Sequence, residues 1–187
     1  MAERLTTTTA RALARRLVDR RARTVLVDGP SGSGKSTFAQ DLLGQLRAVP
    51  GAPDSVLVRM DDLYPGWSGL ERAVDDVARR LVRPHALHGG GRWRPWNWAS
   101  GTSGGPVQVR ERLLLVEGCG TASTASRAVA DLTLWIETDD VERRRRALRR
   151  DGALFEAHWD EWDEQFRRYR ERERPHEGAD LILDSSG

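Results

Sequence analysis

Short blocks of consecutive apolar residues alternate along this chain with longer stretches whose apolar positions recur every three or four residues. The blocks are Thr24-Val25-Leu26-Val27, Ser55-Val56-Leu57-Val58, Leu113-Leu114-Leu115-Val116, Leu132-Thr133-Leu134-Trp135-Ile136 and Leu181-Ile182-Leu183. They are rich in branched side chains and too short to be buried helices, so each reads as a strand covered on both faces. The stretches between them carry a helical stripe. Residues 9–21 place Leu13 and Leu17, with Ala10 and Ala14, on one face, and Thr6 to Thr9 offer an N-cap. Residues 35–48 continue the pattern, and residues 69–81 do so through Leu70, Val74, Val77 and Leu81. A short helix fits residues 124–130 and another fits 141–151. In residues 154–172, Phe155, Trp159, Trp162, Phe166 and Tyr169 form an aromatic stripe that reads as core packing. Strands alternating with helices predict an α/β sandwich of three layers, with a mainly parallel five-stranded sheet and helices on both faces. No internal repeat or shift of composition divides the chain, so a single domain over residues 1–187 is expected.

One region fits neither period. Residues 84–106 hold Gly89-Gly90-Gly91, then Arg92-Trp93-Arg94-Pro95-Trp96-Asn97-Trp98, then Ser100-Gly101-Thr102-Ser103-Gly104-Gly105. A loop of this length in a compact fold is usually functional. It reads as a flap over a small substrate, with Trp93, Trp96 and Trp98 as candidate substrate contacts. A structural loop or a base-stacking surface is the alternative. Val107 to Arg110 fits a short edge strand.

The first candidate chemistry lies directly after the first apolar block. Gly29-Pro30-Ser31-Gly32-Ser33-Gly34-Lys35-Ser36-Thr37 fits G-x-x-x-x-G-K-[ST], between a strand and a helix. Gly29, Gly32 and Gly34 let the backbone approach a phosphate closely, and the exposed N–H groups form an anion nest at a helix N-terminus. Lys35 is expected to reach the β- and γ-phosphates, and the Ser36 hydroxyl to ligate Mg2+. Ser31, Ser33 and Thr37 complete the ATP-binding set. The fold is therefore expected to be that of a P-loop NTPase.

Composition narrows the picture. Apolar residues make up 39% and charged residues 31% of the 187, which is ordinary for a globular protein. The 30 basic residues nearly balance 28 acidic ones, and this argues against a nucleic-acid partner. Lys35 is the only lysine, so a bias towards arginine stops at the phosphate loop, where a compact charge is wanted. The arginine-rich face of residues 9–21 reads as a solvated surface. No apolar run is long enough to span a membrane and no signal peptide is visible. A lone cysteine, Cys119, excludes an internal disulfide and fits a cytoplasmic location. Oligomeric state leaves no trace in the sequence.

Several strands end in a carboxylate: Asp28, Asp61, Glu117, Glu137 and Asp184. Ligands bind at that edge of a parallel sheet. Asp28 precedes the first glycine and only closes its strand. Glu137 leads into a helix cap, and Asp184 lies at the end of the chain. Asp61 and Glu117 remain as candidate magnesium carboxylates. Asp61 also has a neighbour, Asp62, and paired acids beside a phosphate site can hold a substrate hydroxyl and accept its proton.

Three segments in order, Gly29 to Thr37, Met60-Asp61-Asp62-Leu63-Tyr64 and Leu113 to Gly118, resemble the uridine kinase/phosphoribulokinase-like group of P-loop small-molecule kinases, which includes nicotinamide riboside and pantothenate kinases. Asp131 to Asp151 is similar to that group's fourth strand and arginine-bearing lid, and Ala179 to Asp184 to its last strand. The resemblance implies that Asp61 is the catalytic base, that Glu117 assists Mg2+, and that lid arginines clamp the transferred phosphate. Arg146, Arg149 and Arg150 are the candidates for that clamp, within a lid over residues 141–151. Asp62 and Tyr64 join Asp61 on the substrate side. The group's substrate residues after the acid segment find no match, and the Trp-rich flap takes their place. The expected activity is transfer of the ATP γ-phosphate to a hydroxyl of a small molecule. A nucleotide-binding switch without an acceptor is the alternative.

Overall fold

The computed structural model describes residues 3–4 and 6–186, and the side chains of residues 6–186. The chain begins with β1 (Glu3–Arg4), α1 (Thr7–Asp19), β2 (Thr24–Asp28), α2 (Lys35–Ala48) and β3 (Ser55–Arg59), followed by a 3-10 turn at Met60–Asp62. Next come α3 (Leu70–Val77), a π-turn at Ala78–Val82 and α4 (Arg83–His88). The flap holds β4 (Gly91–Trp93), β5 (Trp96–Asn97), β6 (Thr102–Ser103) and β7 (Val107–Val109). The remainder is β8 (Leu113–Glu117), α5 (Thr124–Arg127), β9 (Leu132–Glu137), α6 (Asp140–Glu156), α7 (Trp159–Glu173) and β10 (Leu181–Asp184).

The central sheet has six strands in the order β1-β10-β9-β2-β8-β3, all paired in parallel. The five expected strands are joined by β1, whose two residues are too few to show a period. Side-chain alternation then divides the core. Val25 and Val27 of β2, Leu113 and Leu115 of β8, and Leu132, Leu134 and Ile136 of β9 face α1 and α2. Leu26, Leu114, Val116 and Trp135 face the opposite layer of α3 and α7, where the stripe Trp159, Trp162, Phe166 and Tyr169 is buried. Burial of each such side chain contributes about 1.5–3 kcal/mol.

Three elements depart from the periodic reading. The helical path beyond Val77 continues to His88 through a π-turn. Pro84 lacks an N–H and crowds the carbonyl four residues earlier, and the wider turn before it absorbs that conflict. The expected loop over residues 84–106 therefore starts as a helix and continues as two antiparallel pairs, β4 with β7 and β5 with β6. Val107–Val109 is accordingly a flap strand, not an edge of the main sheet. Finally, α6 passes residue 151 with a break at Gly152 (φ 68°, ψ −158°), and α7 starts at Trp159. Among the described residues, no helix is long and apolar enough to cross a membrane.

Candidate phosphate loop and acceptor cleft

The turn from β2 into α2 is built for a close backbone approach. Gly29 (φ 148°) has the Ile136 carbonyl oxygen 2.0 Å from where a Cβ would stand, and Gly32 (φ 82°) has the Arg143 carbonyl oxygen at the same 2.0 Å. The loop is thus held between the end of β9 and α6, and only glycine fits both contacts. α2 starts after Gly34 with no side-chain cap, so among the described residues its N-cap position leaves the first-turn N–H groups uncapped. Ser33 Oγ is buried without a hydrogen-bond partner among the described residues. An unmet hydroxyl and an uncapped helix start are features an oligophosphate would satisfy.

Alternation along the strands sorts the acids. Glu117 shares the face of Leu113 and Leu115, the face α2 covers, and Ser36 Oγ donates to its Oε2 at 3.1 Å. Burial pushes the Glu117 carboxyl up, Lys35 pulls it back, and the charge of Asp61 pushes it up again. A hydroxyl and a carboxylate at the mouth of a phosphate loop fit Mg2+, which takes one or two protein oxygens and completes its shell with phosphate and water. Lys35 is buried, and its Nζ donates to the Pro30 carbonyl at 2.8 Å and lies 3.6 Å from Cys119 Sγ.

Asp28 shares the face of Leu26 and meets the other layer. It accepts from the N–H of Gly29 (2.7 Å), Gly120 (3.1 Å) and Ala122 (2.8 Å) and from Tyr169 O–H (2.6 Å). Its role is to lock the loop, the strand end after Glu117 and α7 together. Burial raises its carboxyl above the ordinary range, and the hydrogen bonds oppose that rise. A native value above the unfolded one means that its ionisation opposes folding as pH rises through that interval. Asp28→Asn turns an NH2 towards donors and strands at least one buried N–H, so urea unfolding should show a loss of about 1–3 kcal/mol.

Beside the loop, a cleft of about 180 Å³ is walled by Ser31, Asp61, Trp67, Trp98, Arg150 and Asp151, with Tyr64, Phe155 and Trp162 behind them. Trp162 Nε1 donates to Ser31 Oγ at 3.0 Å, so the cleft abuts the phosphate loop. Asp61 follows β3 in the 3-10 turn, and its charge is felt by Glu117, Tyr64, Cys119 and Arg150. Trp98 Nε1 donates to the Asp61 carbonyl at 2.9 Å, which brings the flap onto the acid turn. Tyr64 O–H donates to the Cys119 carbonyl at 2.8 Å, and its ring meets Trp162 edge-on at 4.7 Å. Asp62 is exposed beside the cleft, its carboxyl raised first by desolvation, lowered by Arg59 and raised again by Asp61.

The other predicted residues scatter. Trp93 packs against the aromatic core and lines a separate cavity, and Trp96 is half-buried in the β5–β6 pair. Thr37 is exposed on α2. Arg150 alone of the three lid arginines lines the cleft, its guanidinium forked onto Asp151 at 2.8 and 2.7 Å. Arg146 is turned to Glu142 and to the backbone and hydroxyl of Ser185, while Arg149 is exposed. Trp67, Asp151, Phe155 and Trp162 are cleft residues that the sequence reading did not single out as such. Trp67, in the same post-strand segment as Asp61, was the one with a local signal. Phe155 and Trp162 were hidden in the core stripe.

The fold is shared with solved structures described as P-loop kinases. A possible uridine kinase from Bacillus stearothermophilus superposes with a TM-score of 0.63 at 18% identity, over 94% of this chain and 100% of that one. A proposed fructose transport system kinase from a Silicibacter species gives 0.55 at 18% identity, over 93% and 98%. A proposed P-loop kinase from Saccharomyces cerevisiae with a circular permutation gives 0.56 at 12% identity, over 98% and 99%. No protein-family model matches the sequence, and no curated protein matches it.

Proposed function

We propose that this protein is an ATP-dependent phosphotransferase that moves the γ-phosphate to a hydroxyl of a small molecule. The observation that carries the reading is a single cleft walled by Ser31 of the phosphate loop, Asp61 and Arg150. The residues available fit the parts such a transfer needs. Gly29 to Thr37 hold the nucleotide, with Lys35 exchanging the Pro30 carbonyl for phosphate oxygen. Mg2+, held by Ser36 and Glu117, would supply charge neutralisation at the phosphates. The acceptor lies in the cleft against the Trp67–Trp98 pair, whose rings meet at 4.9 Å, with its hydroxyl at Asp61. Asp61 takes the hydroxyl proton, the oxygen bonds to the γ-phosphorus, and the β–γ bridging bond breaks to release ADP. Arg150 leaves Asp151 for the transferred group and stabilises its charge. Closure of the flap and lid excludes water, which separates transfer from hydrolysis.

Coupled ADP release across a panel of nucleosides, vitamins and sugar alcohols tests the assignment, with nucleotide alone as the blank. At least one compound should raise ADP release well above that blank. A rate indifferent to every acceptor, with a nucleotide-dependent conformational change, would favour the switch reading instead.

A further inference from the structure

We infer that the flap and α3 form a second binding site, for a compact phosphate-bearing anion. A cavity of about 270 Å³ lies between them, with Arg72, Asp76, Arg80, Trp93, Arg94 and Ser103 on its wall. It shares no lining residue with the acceptor cleft. The inference is independent of the reaction assigned to that cleft.

The charge balance of this cavity is lopsided. Asp76 is its one carboxylate, and it is shared by Arg80 Nε at 2.9 Å, Arg79 Nη2 at 3.6 Å and Arg72 Nε at 4.0 Å. Arg79 lies outside the lining, so two guanidinium groups of this helical stretch, Arg72 and Arg80, face the cavity with one carboxylate. Arg94 adds a third from the flap, where its Nη1 donates to the Gly104 carbonyl at 3.2 Å. Arg92 stands next to it, on an adjoining cavity that Arg80, Trp93 and Arg94 also line. What sets this place apart is that its arginines come from two segments and line one hollow. On α6 and α7, Arg145 and Arg146 share Glu142, and Arg167 and Arg168 share Glu164, at 2.6–2.9 Å within a single helix. Here, cations from two separate segments converge on a hollow with one acid between them.

Guanidinium forks match phosphate oxygens in geometry and charge, and the Ser103 hydroxyl can add a donor. An anion seated between Arg72, Arg80 and Arg94 ties the flap to α3. The same flap carries Trp98 onto the Asp61 carbonyl, so the second site is placed to set the posture of the first. Asp76 is the opposing charge that keeps the empty hollow from repelling itself apart.

Calorimetric titration of the full chain with pyrophosphate in metal-free buffer tests the site. The wild type should take two equivalents, one at the phosphate loop and one here. Lys35→Ala should remove the first and spare the second. Arg80→Ala and Arg94→Ala should each weaken the second about tenfold and spare the first. Asp76→Asn should tighten it, a gain that loss of folding cannot imitate. Arg11→Ala, on the exposed face of α1, should change neither. The proposal is overturned by a single equivalent that Lys35→Ala abolishes, by a second equivalent indifferent to Arg80 and Arg94, or by equal weakening in Arg11→Ala.

Discussion

Asp61→Asn is expected to leave nucleotide binding intact and to slow phosphoryl transfer by about 10²–10⁴-fold, the usual contribution of a positioned base. The substitution is nearly isosteric. It keeps the backbone carbonyl that receives Trp98 Nε1, so the flap contact survives. What it removes is the charge that the acceptor proton must reach. It also removes a charge that raises the Glu117 carboxyl, so the magnesium side of the site is eased, not impaired. ADP release and a separate Mg·ADP titration measure the two effects. Turnover within about threefold of wild type would remove Asp61 from the base role. Joint collapse of turnover and nucleotide affinity would make it a structural residue.

Lys35→Ala carries the second large effect, a turnover loss of about 10²–10³-fold, in the range of losing one preorganised charge at an oxyanion. Here nucleotide affinity should fall as well, because the ammonium is the only lysine the chain can bring to the phosphates. Its buried Nζ is held by one neutral carbonyl and faces a thiol, both partners it can leave when phosphate enters. Lys35→Arg should not rescue activity. A planar guanidinium does not fit a pocket closed by Pro30 and Cys119. Equilibrium titration with Mg·ATP alongside turnover decides the matter, and unimpaired nucleotide affinity in Lys35→Ala would contradict the loop assignment. Unfolding in urea should shift by only about 1 kcal/mol, since one hydrogen bond is lost.

The glycine loop of the candidate site was legible because its signature is local. A glycine loop between a strand and a helix is a contiguous signature, and the structure builds it where the apolar block Thr24 to Val27 ends. The parity of the strands also held a message. Positions 113, 115 and 117 share a face, and that is why Glu117 meets Ser36 while Asp28, in step with Leu26, meets Tyr169. The cleft beside it was less legible because its walls come from distant segments. Trp67 follows β3, Trp98 belongs to the flap, and Phe155 and Trp162 belong to α6 and α7. No spacing rule joins such positions. A helical stripe says which residues face inwards, but Trp162, in the middle of it, faces both the core and the cleft. The flap escaped for a different reason. Its strands are two or three residues long, and Gly and Trp at that scale give no alternation to read. In α6 the arginine run marked the lid, but only the break at Gly152 and the packing of Arg143 between Asp140 and Asp163 decide which arginine reaches the cleft. Arg150 does, one turn beyond Arg146 on the same helix.

Transfer to an acceptor is the central claim, and phosphorus-31 NMR of Mg·ATP with the protein and the acceptor panel tests it most directly. The account predicts a new phosphomonoester resonance that grows in step with ADP, disappears in Asp61→Asn and requires one particular acceptor. Inorganic phosphate as the sole product, formed at the same rate with and without every acceptor, would contradict it.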